Sequence, residues 1–319
     1  MAGLAIPKRV CSASEIEICL SLPTTKFCPL DSSLLTQMLS YILWDANPVL
    51  FAVDAFTIFG INFGPFEIRW YGLLFAAGFL IGMQIMTYIF RKERKPQEDL
   101  DALLIFMVVS TILGARIGHY LFYEPEVLFR NPMEVIMPPY RGLASHGAVI
   151  SIITALWLYS RRKSSRLTGQ TFFWTADRIV IVAALAGASI RLGNLMNHEI
   201  VGLPTTVPWG FIFKYNNEFP VGQPRHPAQV YESLAYLTLF FILFALWNRM
   251  KEKTPRGLLS GLWLIWVFGF RFMFEYLKEN QVAFENTLPF NMGQILSIPA
   301  VLLGIFFILN SRKNTLPTA

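Results

Sequence analysis

Long apolar stretches alternate with short charged stretches from residue 68 onward. A helix that crosses a bilayer needs about 20 consecutive apolar residues. Seven stretches approach this length, and we number them spans 1 to 7: 68–90, 100–123, 146–160, 172–190, 229–247, 258–277 and 291–310. This pattern predicts an all-α polytopic membrane protein with about seven transmembrane helices.

The remaining residues divide the chain into three parts. Residues 1–67 are predicted to form an N-terminal extension and an interfacial arm, 68–310 the helical domain, and 311–319 a tail. The aromatic residues Trp44, Phe51, Phe56 and Phe59 suit a segment that lies along the membrane surface. Residues 1–37 lack the continuous apolar region of a signal peptide. We expect translation to start at Met38, with 1–37 dispensable.

Composition supports a membrane protein. Only 15% of the residues are Asp, Glu, Lys or Arg, whereas 54% are hydrophobic and the mean hydropathy is +0.46. Soluble domains carry roughly 25% charged residues. This balance excludes disordered, collagen-like and disulfide-rich proteins.

The net charge of +6 requires an explanation, because basic proteins often bind nucleic acid. Loops 91–99, 161–171 and 248–257 contain four Lys or Arg residues each. These are alternate loops, and basic residues concentrate on the cytoplasmic side of membrane proteins. We therefore expect a cytoplasmic C-terminus, residues before span 1 on the outside, and no nucleic-acid partner.

Cysteine and histidine positions limit the chemistry. The three cysteines are Cys11, Cys19 and Cys28, so the apolar body provides no thiol nucleophile and no disulfide. The four histidines are too far apart for HExxH-type zinc ligation. The sequence therefore predicts no metal and no cofactor.

Polar residues within the spans gather at the predicted outer end. They include Arg116, Tyr120, His146, Arg191, Gln229, Tyr231, Glu232, Arg271 and Glu275. A charged side chain in a membrane costs about 2.5 to 3.5 kcal/mol, so each needs a partner or a function. A structural ion pair is the simpler explanation for any single pair. Three arginines at one depth instead favour an anionic lipid headgroup, because guanidinium groups match phosphate oxygens.

His146 is the first candidate for a general base, because it lies beside this arginine cluster at the start of span 3. His119 is the second candidate. Tyr71, at the outer mouth of span 1, could also line a site. Asp177 and Arg178 fall near the inner end of span 4, where a structural role is the simpler interpretation.

Several motifs resemble those of the bacterial prolipoprotein diacylglyceryl transferases. The stretch IRLGNLMNHEIVG at 190–202 is similar to the family signature G-R-x-G-N-F-x-N-x-E-x-x-G. The matching residues are Arg191, Gly193, Asn194, Asn197, Glu199 and Gly202, and the departures are Ile190 and Leu195. RGLASHGAVI, HPAQVYES and FRFMFEYL resemble further family elements, and IRWYG and NMGQILS resemble the starts of its first and last helices. The similarity covers about residues 40–310.

The resemblance implies transfer of the sn-1,2-diacylglyceryl group from phosphatidylglycerol to the lipobox cysteine in a prolipoprotein signal peptide. It forms a thioether and releases glycerol phosphate in the bacterial inner membrane, at a site that faces the periplasm. The resemblance also implies that Arg191 and Arg271 bind the phosphate and that His146 is the essential histidine. We expect the other substrate-binding residues to be Tyr71, Arg116, Asn194, Asn197, Glu199, Gly202, Gln229, Tyr231, Glu232 and Glu275.

Two other functions are compatible with an apolar helix bundle. The first is a lipid or ion transporter that uses the outer arginine cluster. It predicts charges spread through the membrane depth, and here they gather at one face. The second is a lipid-binding or receptor-like protein without chemistry, against which the 190–202 motif argues.

Overall fold

The computed structural model describes residues 41–58, 61–131, 133, 142, 144–220, 222–278 and 290–311. The described part of the chain is a helix bundle with short strands beside it. The predicted leader 1–37, Phe59 and all of the tail beyond Ser311 lie outside these residues.

Nine helices occur in the described residues. They are α1 Trp70–Lys92, α2 Gln97–Tyr123, α3 Pro125–Arg130, α4 Ser145–Arg161, α5 Lys163–Leu167, α6 Phe172–Met196, α7 Ala228–Met250, α8 Leu258–Phe274 and α9 Met292–Ser311. Single 3₁₀ turns follow α7 at Lys251–Lys253 and α8 at Glu275–Leu277. A long helix thus occupies each of the seven predicted spans.

The membrane-protein prediction is confirmed by these helices. Six of them, α1, α2, α6, α7, α8 and α9, are long and apolar enough to cross a bilayer. The seventh, α4, has 17 residues, which is close to the lower limit of about 17 residues for a crossing. Seven crossings and their orientation stay predictions.

Helix α6 is longer than its apolar run indicated. The prediction ended at residue 190, but the helix continues to Met196. The sequence Arg-Leu-Gly-Asn has no helix-breaking proline, and Arg191 and Asn194 are paired across one helical turn by a hydrogen bond. The first part of the 190–202 motif is therefore helical, rather than part of a loop.

Six short strands accompany the helices. They are β1 Ile42–Trp44, β2 Val49–Val53, β3 Phe56–Ile58, β4 Ile61–Phe63, β5 Phe66–Arg69 and β6 Phe211–Phe213. β2 pairs with β5 and β3 with β4, both antiparallel, while β1 pairs in parallel with β6. The sequence analysis predicted an interfacial segment here but no strands.

The segment before α1 is attached to the loop after α6. Trp44 donates its indole N–H to the carbonyl of Leu195 at 3.0 Å, and His198 donates from Nε2 to the carbonyl of Ala46 at 2.9 Å. Burial lowers the pKa of His198, which favours the neutral ring, and a neutral imidazole still has one N–H to donate. These contacts hold β1 against the segment that contains the 190–202 motif.

A fully buried ion pair joins the helices at the end of the bundle where α1 ends and α6 begins. Arg178 and Glu93 are both fully buried and lie 2.9 Å apart, and Glu93 also accepts the indole N–H groups of Trp174 and Trp247. Beside them, Asp177 accepts hydrogen bonds from the start of α8. Asp177 and Arg178 thus both have structural partners, but on other elements of the bundle.

We expect Arg178→Leu to destabilise the protein strongly. It leaves the Glu93 carboxylate buried without its countercharge, a change that costs about 3 to 5 kcal/mol. Thermal unfolding of the detergent-solubilised protein measures the effect. The double variant Glu93→Gln/Arg178→Leu should unfold at a higher temperature than Arg178→Leu, because no lone charge remains. Equal midpoints for the single and double variants would show that the pair is not the source of the stability.

Candidate active site

A polar cavity of about 490 Å³ lies where α2, α6 and α8 end and where α4 and α7 begin. We call this the polar cavity. Its ionisable lining residues include His146, Arg191, Glu232, Arg271, Glu275 and Lys278. Five of these six were predicted from the sequence as site residues, and the structure brings them to one cavity.

The position of His146 depends on very close packing between α2 and α4. A Cβ atom added to Gly118 would lie 2.6 Å from the Cα of Gly147, and one added to Gly147 would lie 2.2 Å from the carbonyl oxygen of Gly114. Only glycine permits this approach. Because His146 immediately precedes Gly147, the contact fixes the start of α4, and the exposed imidazole lies in the cavity wall.

Arg191 lies near the end of α6 and is held from two sides. Its Nε lies 2.6 Å from a carboxylate oxygen of Glu232 on α7. Its Nη1 donates to the Asn194 side-chain oxygen at 3.3 Å. The guanidinium is 23% exposed, whereas the Glu232 carboxylate is 7% exposed. Arg191 is therefore fixed by a buried carboxylate while it still faces the cavity.

Glu199 organises the residues behind Arg191. Its carboxylate accepts from the amide of Asn194 at 2.7 Å and from the amide of Asn197 at 3.3 Å. Because the Asn194 NH₂ group donates to Glu199, its oxygen is the atom that turns toward Arg191. Gln229 donates to the backbone carbonyl of Glu199 at 2.6 Å. These residues form a support for Arg191 and are not among the residues that line the cavity.

Tyr71 and Gly202 also contribute through packing. A Cβ on Gly193 would lie 2.7 Å from the Tyr71 ring, so this ring packs directly against α6. A Cβ on Gly202 would lie 2.7 Å from His226 and 2.9 Å from the carbonyl oxygen of Leu277. Gly202 thus allows the segment after α6 to pack against the residues just before α7 and just after α8.

Tyr231 does not line the polar cavity but lies near one of its lining residues. Its hydroxyl accepts the indole N–H of Trp209 at 2.9 Å and lies 3.3 Å from Nδ1 of His226. Its ring is 6.5 Å from that of Phe274, which lines the cavity.

Two predicted residues of α2 lie away from the cavity wall. Arg116 is buried, with its guanidinium 5.1 Å from the centre of the Tyr120 ring and Nη2 donating to that hydroxyl at 3.4 Å. His119 stacks on Tyr123 and lies 3.7 Å from the Glu124 carboxylate. Among the four histidines, only His146 is among the lining residues of the polar cavity.

Lys278 lines the cavity, although its position in the sequence predicts only a basic loop residue. Its ammonium group forms an ion pair with Glu232, the same carboxylate that holds Arg191. Arg271, Glu275 and Lys278 are spaced i, i+4 and i+7. Because α8 ends at Phe274 and Lys278 follows the 3₁₀ turn in an extended conformation, helical spacing could not have identified Lys278.

A second cavity of about 270 Å³ adjoins the polar one and is almost wholly apolar. We call it the apolar cavity. Residues of α1, α2, α4 and α6 line it, including Phe75, Gly82, Met107 and Val182. Ala183 and Gly187 on α6 line both cavities. The two spaces therefore meet along one helix, as expected for a ligand with a charged headgroup and an apolar chain.

The chemistry of the lining residues fits an anion. Arg191, Arg271 and Lys278 provide hydrogen-bond donors with positive charge, and His146 provides a group that can accept a proton. Among the residues that the structure describes, no three His, Cys, Asp or Glu side chains come close enough to hold a metal ion. The cavity can thus bind an anionic headgroup and receive a proton at its edge.

Comparison with known proteins agrees with the motif resemblance. Residues 58–310 match the family model described as prolipoprotein diacylglyceryl transferase. A protein named phosphatidylglycerol–prolipoprotein diacylglyceryl transferase from Chloroherpeton thalassium is 43% identical over 276 residues, which cover 86% of this chain and 96% of that protein. Proteins with the same name from Tolumonas auensis (42% identical, 86% and 98% covered) and Bacteroides fragilis (39%, 86% and 96%) are also similar. The chain therefore belongs to the prolipoprotein diacylglyceryl transferase family.

Proposed function

We propose that this protein transfers the sn-1,2-diacylglyceryl group of phosphatidylglycerol to the lipobox cysteine of prolipoproteins, the first step of lipoprotein maturation. Family membership and relatives of this name over 86% of the chain support the enzymatic activity and both substrates. The single structural observation that carries the proposal is that His146, Arg191 and Arg271 line one cavity, which adjoins an apolar one.

In the proposed reaction, the cysteine thiol loses its proton and its sulfur attacks the glyceryl carbon attached to the phosphate. A carbon–sulfur bond forms, the carbon–oxygen bond to phosphate breaks, and glycerol phosphate leaves with the bonding electrons. A peptide thiol has a pKa of about 8.5, and the thiolate is the nucleophile. His146 would accept the proton, which is the role of a general base.

Arg191 and Arg271 would stabilise the leaving phosphate. Bidentate guanidinium–phosphate contacts are strong and directional, and donors fixed before the reaction need no reorganisation as charge develops. Arg191 meets this requirement because Glu232 and Asn194 already hold it. The nucleophilic thiol belongs to the substrate peptide, so the reaction needs no cysteine of the enzyme. This agrees with a sequence that has no cysteine after residue 28.

The apolar cavity would hold an acyl chain of the lipid. Its lining is formed by apolar side chains and glycines apart from Thr111, and it meets the polar cavity at Ala183 and Gly187. A headgroup bound at Arg191 would place the attached chains beside α6. This arrangement fits a phospholipid better than a free phosphate ester, because only a lipid has an apolar chain to occupy the apolar cavity beside its headgroup.

We further propose a periplasmic active site in the inner membrane, with the C-terminus in the cytoplasm. The basic loops at 91–99, 161–171 and 248–257 support this orientation through the positive-inside rule. They lie at the end of the bundle opposite the polar cavity. The segment β1–β5 precedes α1 directly and exposes Phe51 and Phe66, as expected for an arm at the membrane surface.

Substitutions of the cavity residues test the reaction. We expect His146→Gln and Arg191→Ala each to lower lipidation of a lipobox peptide by about 100-fold or more, the usual effect of removing a general base or an oxyanion donor. Arg191→Lys should recover little activity because an ammonium group lacks the planar fork. The assay follows thioether formation in membranes that contain equal amounts of each variant.

Arg130→Ala is the matched control, because Arg130 is an exposed arginine on α3 with a solvent-facing partner. It should retain wild-type activity. Full activity of Arg191→Ala would rule out its phosphate role.

A substitution in the apolar cavity tests the acyl site. Gly82 lines it, and a Cβ there would lie at an ordinary contact distance of 3.5 Å from Val182. Gly82→Leu should therefore fold, fill part of the cavity, and shift the preference from long-chain toward short-chain phosphatidylglycerol by about 10-fold. Leu80→Phe adds bulk at a 60% exposed position of the same helix and should leave the preference unchanged. An unchanged chain-length profile for Gly82→Leu would place the acyl chains elsewhere.

Single introduced cysteines test the orientation. The native cysteines are first replaced, as Cys11→Ser, Cys19→Ser and Cys28→Ser, and an exposed position is then changed to cysteine. In intact spheroplasts, a membrane-impermeant maleimide should label Thr206→Cys, and it should label Glu252→Cys only after lysis. The reverse pattern would invert the proposed topology.

A further inference from the structure

The carboxylate of Glu275 is held by the beginning of α9, a helix whose residues do not line the polar cavity. Asn291 donates its side-chain N–H to Oε2 of Glu275 at 3.2 Å. A Cβ atom on Gly293 would lie 2.4 Å from Oε1 and 2.7 Å from Cδ of the same carboxylate. Contacts under 3.0 Å force a displacement, so glycine at 293 is the condition for this position of Glu275.

The side-chain oxygen and the side-chain NH₂ group of Asn291 have different partners. Its oxygen accepts the backbone N–H of Gln294 at 2.9 Å, and the side-chain oxygen of Gln294 accepts the backbone N–H of Asn291 at 3.1 Å. This reciprocal pair is a capping box at the start of α9. Because the oxygen caps the helix, the NH₂ group is left to face Glu275.

The location also suits a negative charge. The first turn of a helix carries the positive end of its dipole, which stabilises a nearby carboxylate. Glu275 is only 14% exposed, whereas Arg271 is 50% exposed. The carboxylate is thus the more buried member of the pair and the guanidinium the more exposed one.

Arg271 is connected to this arrangement through Glu275. Its Nε lies 3.7 Å from Oε1 of Glu275, the same oxygen that a Cβ at Gly293 would displace. Glu275 lies in the 3₁₀ turn after α8, so the regular helix has ended there and other elements must orient its side chain. The start of α9 supplies that orientation.

We propose that Asn291 and Gly293 are positioning residues for the transferase reaction: they hold Glu275, and through it they place the guanidinium of Arg271 against the phosphate of the lipid substrate. The inference rests on the proposed function of the cavity. It adds the start of α9 to the machinery although neither residue touches substrate.

Gly293→Ala is the first test. It should lower kcat for lipobox-peptide lipidation by about 10- to 100-fold, because a displacement of about 1 Å at a reacting group has effects of this size. Gly269→Ala is the control, since Gly269 lies on α8 two residues before Arg271 and an added Cβ meets nothing within 4 Å. It should retain wild-type kcat.

A second substitution distinguishes positioning from packing. Glu275→Asp shortens the side chain by one methylene and withdraws the carboxylate from the Cβ of Ala at 293. The double variant Gly293→Ala/Glu275→Asp should therefore be more active than Gly293→Ala alone, whereas independent effects would make it less active. A double variant that is less active than Gly293→Ala would overturn the proposed contact.

Asn291→Asp separates the helix cap from the contact with Glu275. Aspartate caps helices as well as asparagine does, so the start of α9 should stay helical. The new carboxylate cannot donate to Glu275 and repels it, so kcat should fall by about 10-fold or more while the KM for the peptide changes little. Wild-type kcat in both Asn291→Asp and Gly293→Ala would overturn the inference.

The same assays separate this inference from the proposed function. If wild type and Gly269→Ala form no thioether, the proposed function fails, and this inference fails with it. If both are active and the two α9 variants match them, only the positioning role is wrong.

Discussion

A guanidinium group in an apolar helix bundle is costly unless a carboxylate and hydrogen bonds compensate for it, and both ends of this bundle depend on such compensation. At one end, Arg178 and Glu93 are fully buried. At the other, Arg191 and Arg271 remain 23% and 50% exposed beside carboxylates that are only 7% and 14% exposed. The chemistry is the same, but the exposure differs. A closed pair joins helices, whereas an arginine that is held by a carboxylate and still faces a cavity can bind a second anion.

The helices could be predicted from the sequence because a bilayer imposes a length on every apolar run. The predicted spans lie within a few residues of the helices except at α6, where a segment that contains the polar residues Arg191 and Asn194 continues the helix to Met196. Hydropathy cannot detect such an end, since the polar side chains there are paired with one another. The strands β1 and β6 were missed for a related reason. β1 and β6 are three residues each and are separated by more than 160 residues, so their pairing has no local pattern.

The site could be predicted as a set of residues but not as an arrangement. Helical spacing indicated which side chains share a face, and the motif resemblance indicated which segments belong together. Neither shows that Asn194 and Glu199 form hydrogen bonds that support Arg191. Neither shows that Gly202 lies where the segment after α6 packs against His226 and Leu277. Lys278 was overlooked because it follows the last apolar residue of its span, where a basic residue is usually explained by topology alone. Its pairing with Glu232 becomes visible only when α7 and α8 are in place.

The two ion pairs of Glu232 affect how the cavity would bind the phosphate of the proposed lipid substrate. One carboxylate neutralises part of the charge of both Arg191 and Lys278, on elements that converge from α6, α7 and the end of α8. A cavity whose cations had no carboxylate partners would be unstable at this depth. If every cation had its own carboxylate, the carboxylates would repel a phosphate about as strongly as the cations attract it. Sharing one carboxylate between two cations leaves a net positive charge that is already oriented. Because donors fixed in advance stabilise developing charge without further reorganisation, the same ion pairs that stabilise the bundle would also prepare it to stabilise the leaving phosphate of the proposed reaction.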